Sequence, residues 1–540
     1  MTRVTHPDAF DEALDVDPDE VDVEPRGIRL DAWWQRIKYT PGWRWGWNWG
    51  APLAVTALAA ILRLWDLGFP HQLVFDETYY VKDSWSTIHL GYEGTWGSTP
   101  NPGFESGSSS GVNAYTSSPE FVAHPPLGKW IIGAGEALFG VQTAFGWRIA
   151  TAVVGILAVV LAMWVIKRLF GSQLIALIGG FLFAIEGNAI VLSRVALLDN
   201  TVMFLAFAGV ACVLLDREWH RRRLERWIAD RMVAGRTLGS GPAMWWRPWL
   251  VAAGALFGFD AATKWSGFYF LGVFACYVLL TDVLARRRAK LPDWQGSIVK
   301  QGAIDFVLTV PVALAAYLAS YSGWLLTKGG WDRSWVEQDP TRAWGGALGW
   351  VPRWFQDLWH YQTEMYGFDI NLHTPHAYMS QPISWPIMLR PTSMYWMDYH
   401  DGTIGAINDL ANPLIWWGGT AAVAYLIYRA VRFREWQSGF ILAGYGAGWL
   451  PWVLFYSQRT IFTFYSIAFE PYLILAIAAA VRQALGSPDD PRRRRSTGFW
   501  WVGVLVVLAI ALTVFFWPIW TGERINYFYW LAHMWFPSWI

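Results

Sequence analysis

Cysteine is nearly absent, with two residues in 540, Cys212 and Cys276, each inside an apolar run. That excludes a disulfide framework and a Cys-based zinc site, and leaves both as small core residues. Charge is scarce as well, at 16% of the chain, and the Lys+Arg and Asp+Glu totals cancel at 42 each. A net charge of zero argues against a nucleic-acid partner. Phosphate-cradling glycine loops are missing: no stretch reads as a Walker A loop or as a dinucleotide-binding fingerprint, so a nucleotide donor is not expected. The opening residues lack a basic n-region, which excludes a signal peptide.

What the chain has is apolar and aromatic. It is 54% hydrophobic, with 40 Trp and aromatics at 17%. Many apolar runs approach or exceed the roughly 18–20 residues that cross a bilayer. The Trp and Tyr content suits belts at the two membrane interfaces. Eleven spans are expected, near residues 49–65, 147–166, 174–190, 201–215, 250–262, 268–284, 304–321, 414–428, 440–455, 462–481 and 500–517. The apolar stretch 129–140 is shorter and reads as an interfacial or re-entrant helix.

This alternation places every dense basic cluster on one side: Arg29–Arg44, Lys167–Arg168, Arg217–Arg236, Arg286–Lys290, Arg429–Arg434 and Arg492–Arg495. By the positive-inside rule that side, with the N-terminus, is cytoplasmic. Residues 1–27 are acidic and read as a disordered cytoplasmic tail. Within the Arg217–Arg236 block, Trp219, Leu224, Trp227, Ile228 and Met232 recur at near-helical spacing, which predicts an amphipathic helix lying on the inner leaflet. The division expected is a membrane domain over 28–322, a Trp-rich outer loop over 323–412, and a C-terminal membrane region of four-helix type over 413–540. The first outer loop, 66–145, contains a Gly/Ser/Asn-rich stretch, 91–118, that reads as a mobile insertion.

Ionisable residues gather on the outer side: Asp76–Glu77, His124 and Lys129, Arg148, Arg194, Asp199, Lys264 and Arg459. A carboxylate beside a bilayer is costly unless solvated, paired or at work. Moving a sugar off a lipid phosphate needs a base for the acceptor hydroxyl and cations for the leaving phosphate. Asp76 or Glu77 fits the first task; Arg148, Arg194, Lys264 and Arg459 fit the second. Plainer readings stand beside these. The acid pair could cap a helix, Arg148 and Arg459 could anchor at the interface, Lys264 with Trp265 could form a hairpin tip, and Arg194 could pair with Asp199. His124–Pro125–Pro126 could serve as a rigid lead into a helix. His373 and His376 have no carboxylate or Cys to complete a ligand set, so no metal site is read; a divalent metal stays open as a cofactor.

Taken in order, Phe75–Asp76–Glu77, His124–Pro125–Pro126–Leu127–Gly128–Lys129, Arg148, Arg194 through Asp199, Thr263–Lys264–Trp265, Ser384 through Pro391, and Gln458–Arg459 through Phe464–Tyr465 resemble the protein O-mannosyltransferases. These are membrane glycosyltransferases of GT-C type. The resemblance implies an all-α polytopic fold and an inverting transfer of mannose from polyprenyl-phosphate-mannose to Ser or Thr. It implies Asp76 as base, Glu77 assisting, Arg148 as the family's essential arginine, and His124, Lys129, Asp199 and Tyr465 in support. It further implies secreted acceptor proteins met at the Sec translocon, the lipid bilayer as surroundings, and a plasma-membrane enzyme with an extracytoplasmic site. The outer loop of about 90 residues, 322–412, is too short for the β-trefoil of eukaryotic members, which resembles the bacterial, actinobacterial-type branch. The rival reading is a related GT-C enzyme with a lipid or lipoglycan acceptor. A transporter would need ionisable residues deep in several spans and an internal repeat, and the sequence offers neither.

Overall fold

The computed structural model describes residues 26–97 and 100–540, so the expected acidic tail lies almost wholly outside the described residues. Helix dominates for a physical reason: lipid offers the backbone no partner, so a spanning segment must bond its own N–H and C=O groups. Among the described residues, eight helices are each long and apolar enough to cross a bilayer: Ala144–Phe170, Asp199–Val233, Gly267–Arg288, Gly296–Ser320, Pro413–Phe433, Trp436–Phe455, Thr463–Leu485 and Arg492–Thr521. The pair Gln173–Ala184 and Gly187–Arg194 is long and apolar enough only when taken together, and is bent by 57° at the break. Glu186 sits at the break. Its carboxylate accepts the Ala189 N–H at 3.0 Å and the Asn412 N–H at 2.8 Å, so it caps the second half and ties it to the C-terminal helices.

The first and fifth expected spans are shorter helices. Ala51–Leu64 is prolonged by continuous helical turns from Pro41. Pro248–Ala261 has 14 residues, about 21 Å of helix against a hydrocarbon core of about 30 Å. Its packing is close because Gly254 and Gly258, four apart, face Thr309 and Ala313 of Gly296–Ser320. A Cβ on Gly258 would lie 2.2 Å from the Ala313 carbonyl oxygen. Small residues at this spacing let two membrane helices touch backbone to backbone.

Two expectations are corrected. The basic block at 217–236 is not a separate helix on the membrane surface: Asp199–Val233 is one helix of 35 residues, about 52 Å long, so the basic part continues the span beyond the bilayer. The stretch 91–118 is not a mobile insertion in its described part. Phe104 is fully buried against Trp96 and Trp147, the Glu105 carboxylate accepts the Leu73 N–H at 2.8 Å, and Asn101 binds Thr78 and Lys82. The expected helical membrane fold holds, with one small sheet added to it. In the long loop over 323–412, β1 (Thr392–Asp398) pairs antiparallel with β2 (Thr403–Asp409), and β3 (Arg524–Asn526) extends the sheet. Tyr395, Trp396, Ile404 and Ile407 are the β-branched and aromatic residues that favour a pleated, half-buried surface.

The two ends of the bundle differ in chemistry. At one end the basic clusters meet one another and buried acids. Arg247 is enclosed by Asp216, Asp282 and Asp305, Arg217 stacks over Trp436 at 4.3 Å, and Arg495 pairs with Asp31. At the other end the two long loops close over the turns at 195–199, 262–266 and 456–464, and the site lies there.

Candidate active site

The stretch 74–80 turns sharply. Phe75 adopts a left-handed backbone with φ 51°, uncommon for a bulky residue and held here by its side chain. Its ring packs edge-on to Phe462 at 5.5 Å, Phe464 at 5.7 Å and His376 at 6.1 Å. Sequence-distant segments are thereby pinned around the next residue. Asp76 takes the N-cap position of helix Glu77–Leu90, yet its side chain caps no backbone N–H. The residue as a whole is half-buried. Burial raises its pKa to about 6; Lys264 opposes that rise and Asp199 adds to it.

Glu77 is the opposite case and has no exposed surface. One carboxylate oxygen accepts from Arg148 Nε at 2.8 Å and from the Ala196 N–H at 2.8 Å. The other accepts from Arg148 Nη2 at 2.9 Å and from the Val74 N–H at 2.8 Å. Two bonds on each oxygen fill a carboxylate's acceptor capacity. The acid pair is therefore divided, with one carboxyl open and one locked.

The cations divide likewise. Arg148 spends its remaining N–H groups on the carbonyls of Leu67, Pro70 and Gln72 at 3.0–3.3 Å, and is 1% exposed. Arg194 donates to the carbonyls of Arg63, Trp65 and Asp66, where Ala51–Leu64 ends, with Trp65 closest at 2.6 Å. Those are the orphan carbonyls every helix C-terminus leaves, and a guanidinium there suits the helix dipole. Arg194 and Asp199 do not pair with each other. Asp199 instead accepts from Lys264 Nζ at 2.9 Å, and its second oxygen is buried without a partner. Lys264 lies 3.7 Å from the centre of the Tyr465 ring, and the nearby acids raise its pKa against the burial that would lower it. Arg459 pairs with Asp369 and keeps its Nε buried without a hydrogen-bond partner. Lys264 and Arg459 thus hold the unspent cationic capacity.

The remaining expected residues frame this pocket. Lys129 Nζ bonds Glu93 at 2.5 Å and the His124 carbonyl at 2.9 Å, which closes the His-Pro-Pro turn on itself. Gly128 is needed there: a Cβ would meet Leu198 at 2.6 Å and Thr263 at 2.9 Å, where the turn docks on the Lys264 segment. His124 is driven well below its ordinary pKa by burial and by Lys264, Lys129 and Arg459, so it is a neutral imidazole at pH 7. Its ring lies 6.1 Å from that of Tyr80. His373 and His376 are held apart from any carboxylate pair: one bonds the Gln458 carbonyl, the other packs on Phe75 and Phe462. Asp369 was not singled out from the sequence; it lies in an aromatic helix, Arg353–Asn371, with no motif around it. Next to Lys264, Trp265 and Phe268 open an apolar cavity of about 470 Å³ with Tyr317, Leu318, Trp359 and Tyr366. A proton acceptor near neutrality, two cations with free capacity and an apolar slot can together accept a proton, hold an anion and shelter a lipid.

The chain is similar to known proteins over most of its length. Residues 115–327 match the family model for dolichyl-phosphate-mannose-protein mannosyltransferase, and residues 354–539 match that for the C-terminal four-transmembrane region of protein O-mannosyltransferase. A polyprenol-phosphate-mannose–protein mannosyltransferase of Mycolicibacterium smegmatis is 32% identical over 513 residues, covering 91% of this chain and 93% of that protein. Its Mycobacterium tuberculosis counterpart is 31% identical over 507 residues, 90% of each. The fold matches the Saccharomyces cerevisiae protein O-mannosyltransferase Pmt1-Pmt2 complex bound to the sugar donor, with a TM-score of 0.68 at 15% identity over 96% of this chain and 95% of that one. With relatives this similar across nearly its full length, the chain belongs to the dolichyl-phosphate-mannose-protein mannosyltransferase family.

Proposed function

We propose that this chain moves mannose from polyprenyl-phosphate-mannose to Ser or Thr hydroxyls of secreted proteins, with inversion, on the extracytoplasmic face of the plasma membrane. The observation that carries the reading is the division of the acid pair. Asp76 makes no capping bond and is tuned to about 6, beside the Lys264–Asp199 pair. A general base works best with a pKa near the working pH.

In one displacement the acceptor oxygen bonds to mannose C1 from the face opposite the phosphate. The C1–O bond to the phosphate breaks, its electron pair leaves with the polyprenyl phosphate, and the hydroxyl proton passes to Asp76. Lys264 and Arg459 hold the phosphate as its charge grows. Glu77 and Arg148 act as positioning residues: their locked pair fixes the turn that aims Asp76. Arg194 fixes the end of the preceding helix, and Lys129 and His124 shape the opposite wall. Tyr465 places the Lys264 ammonium. The apolar cavity beside Trp265 takes the isoprenoid tail, since hydrocarbon there leaves no polar group unpaired. The aromatic loop over 331–396 receives acceptor segments in extended form, before they fold, as they emerge at the secretion translocon. The basic clusters opposite the site support the assignment of sides.

The test supplies purified chain with labelled polyprenyl-phosphate-mannose, a Ser/Thr-rich peptide and membrane lipids. Label is expected in the peptide. Label in glycolipid alone would select the lipid- or lipoglycan-glycosylating alternative.

A further inference from the structure

In the long loop over 323–412, apart from the pocket above, three metal-ligating side chains converge. His360 and Glu364 are four apart on one face of Arg353–Asn371, and Asp332 comes from the preceding loop. His360 Nε2 stands 3.2 Å from an Asp332 oxygen and 3.5 Å from a Glu364 oxygen, and the three donor atoms all lie within 4.8 Å of one another. A single ring nitrogen carries at most one N–H, so it cannot hydrogen-bond both carboxylates. The spacing suits a cation better. Bonds of about 2.0–2.2 Å to a tetrahedral zinc place neighbouring donors about 3.3–3.5 Å apart.

The surroundings orient the donors as metal sites do. Trp335 stacks on the His360 ring at 3.8 Å and 14°, which fixes its plane. The Trp331 indole N–H donates to the other Glu364 oxygen at 2.8 Å, which turns the first toward the imidazole. Such outer contacts set ligand direction and basicity. One imidazole nitrogen with two carboxylates favours a borderline transition ion over Mg²⁺ or Ca²⁺, which take oxygen donors.

We propose that Asp332, His360 and Glu364 form a structural site for a divalent transition cation of the zinc class, clasping the 327–338 loop to Arg353–Asn371. That helix also carries Gln362, bonded to Tyr317 and Tyr321, and Asp369, the partner of Arg459. The clasp steadies the wall of the pocket from outside and takes no part in the bond-making step.

The test uses the full-length chain in detergent, tag removed and stripped with a chelator. Co²⁺ is titrated while visible absorption is followed, then displaced by Zn²⁺. One equivalent per chain is expected, with tetrahedral-type cobalt bands. His360→Ala and Asp332→Asn each weaken binding at least about 100-fold, and Trp331→Phe, lacking the indole N–H, by about 10–100-fold. Zn²⁺ should raise the thermal midpoint of the wild type and not of His360→Ala. Wild-type protein that takes up no stoichiometric metal would overturn the site, as would affinity unchanged by His360→Ala. The wild-type titration decides the matter if a variant fails to fold.

Discussion

Replacing Asp76 by Asn removes the proposed proton acceptor and keeps the shape. Its carboxyl group caps no helix N–H, so the fold should lose no more than about 0.5 kcal/mol, the usual range for a site free of structural bonds. Turnover should fall by about 10²–10⁴-fold, the usual contribution of a positioned base. That is about 2.7–5.5 kcal/mol of barrier. The pH profile makes the claim specific. With a pKa of about 6, Asp76 is about nine-tenths ionised at pH 7 and about one-tenth at pH 5. Wild-type kcat/KM should therefore drop roughly tenfold between those values, because only the carboxylate accepts a proton. The residual rate of Asp76→Asn should be flat over the same interval. The assay is transfer of labelled mannose to a Ser/Thr peptide by purified protein, with thermal midpoints recorded in parallel. Wild-type turnover by well-folded Asp76→Asn protein, or an acid limb that survives the substitution, would refute the assignment.

Two further substitutions separate chemistry from architecture. Arg148→Ala leaves Glu77 as a buried, uncompensated charge and should cost about 3–5 kcal/mol, read as loss of folded protein; a stable variant with only a raised KM for donor would give Arg148 a phosphate contact instead. Lys264→Met should weaken donor use by about 10²–10³-fold, as loss of one charge-stabilising donor does. It should also move the acid limb above about 6, since Lys264 is the group that lowers the Asp76 pKa; an unmoved limb would separate the two residues.

Eight of the eleven expected spans were legible as long apolar helices among the described residues, because length and apolar content decide them. The acid pair was legible as a pair. Its division was not, because it rests on tertiary partners: an arginine 71 residues away and a backbone N–H 119 residues away lock Glu77 and leave Asp76 open. The same blindness applies to the arginines. Position near a membrane boundary cannot distinguish Arg459, with a free N–H, from Arg194, whose donors go to the end of a helix. Asp199 finds Lys264 rather than its neighbour in sequence because the His-Pro-Pro turn and the Thr263 segment dock through Gly128. The strands at 392–409 escaped notice because their alternating aromatic and β-branched residues sit inside a loop already crowded with Trp and Tyr. Asp332, His360 and Glu364 lie 28 and 4 residues apart with Trp between them, a spacing that only the fold over the Arg353–Asn371 helix turns into a cluster.

The most direct measurement is a structure of the full-length chain with a polyprenyl phosphate bound. The account predicts the phosphate within hydrogen-bond distance of Lys264 Nζ and the Arg459 guanidinium, the isoprenoid beside Trp265 and Phe268, and the Glu77–Arg148 pair intact. A phosphate seated on Arg148 with Glu77 displaced, or at the Arg-rich end of the bundle, would contradict it.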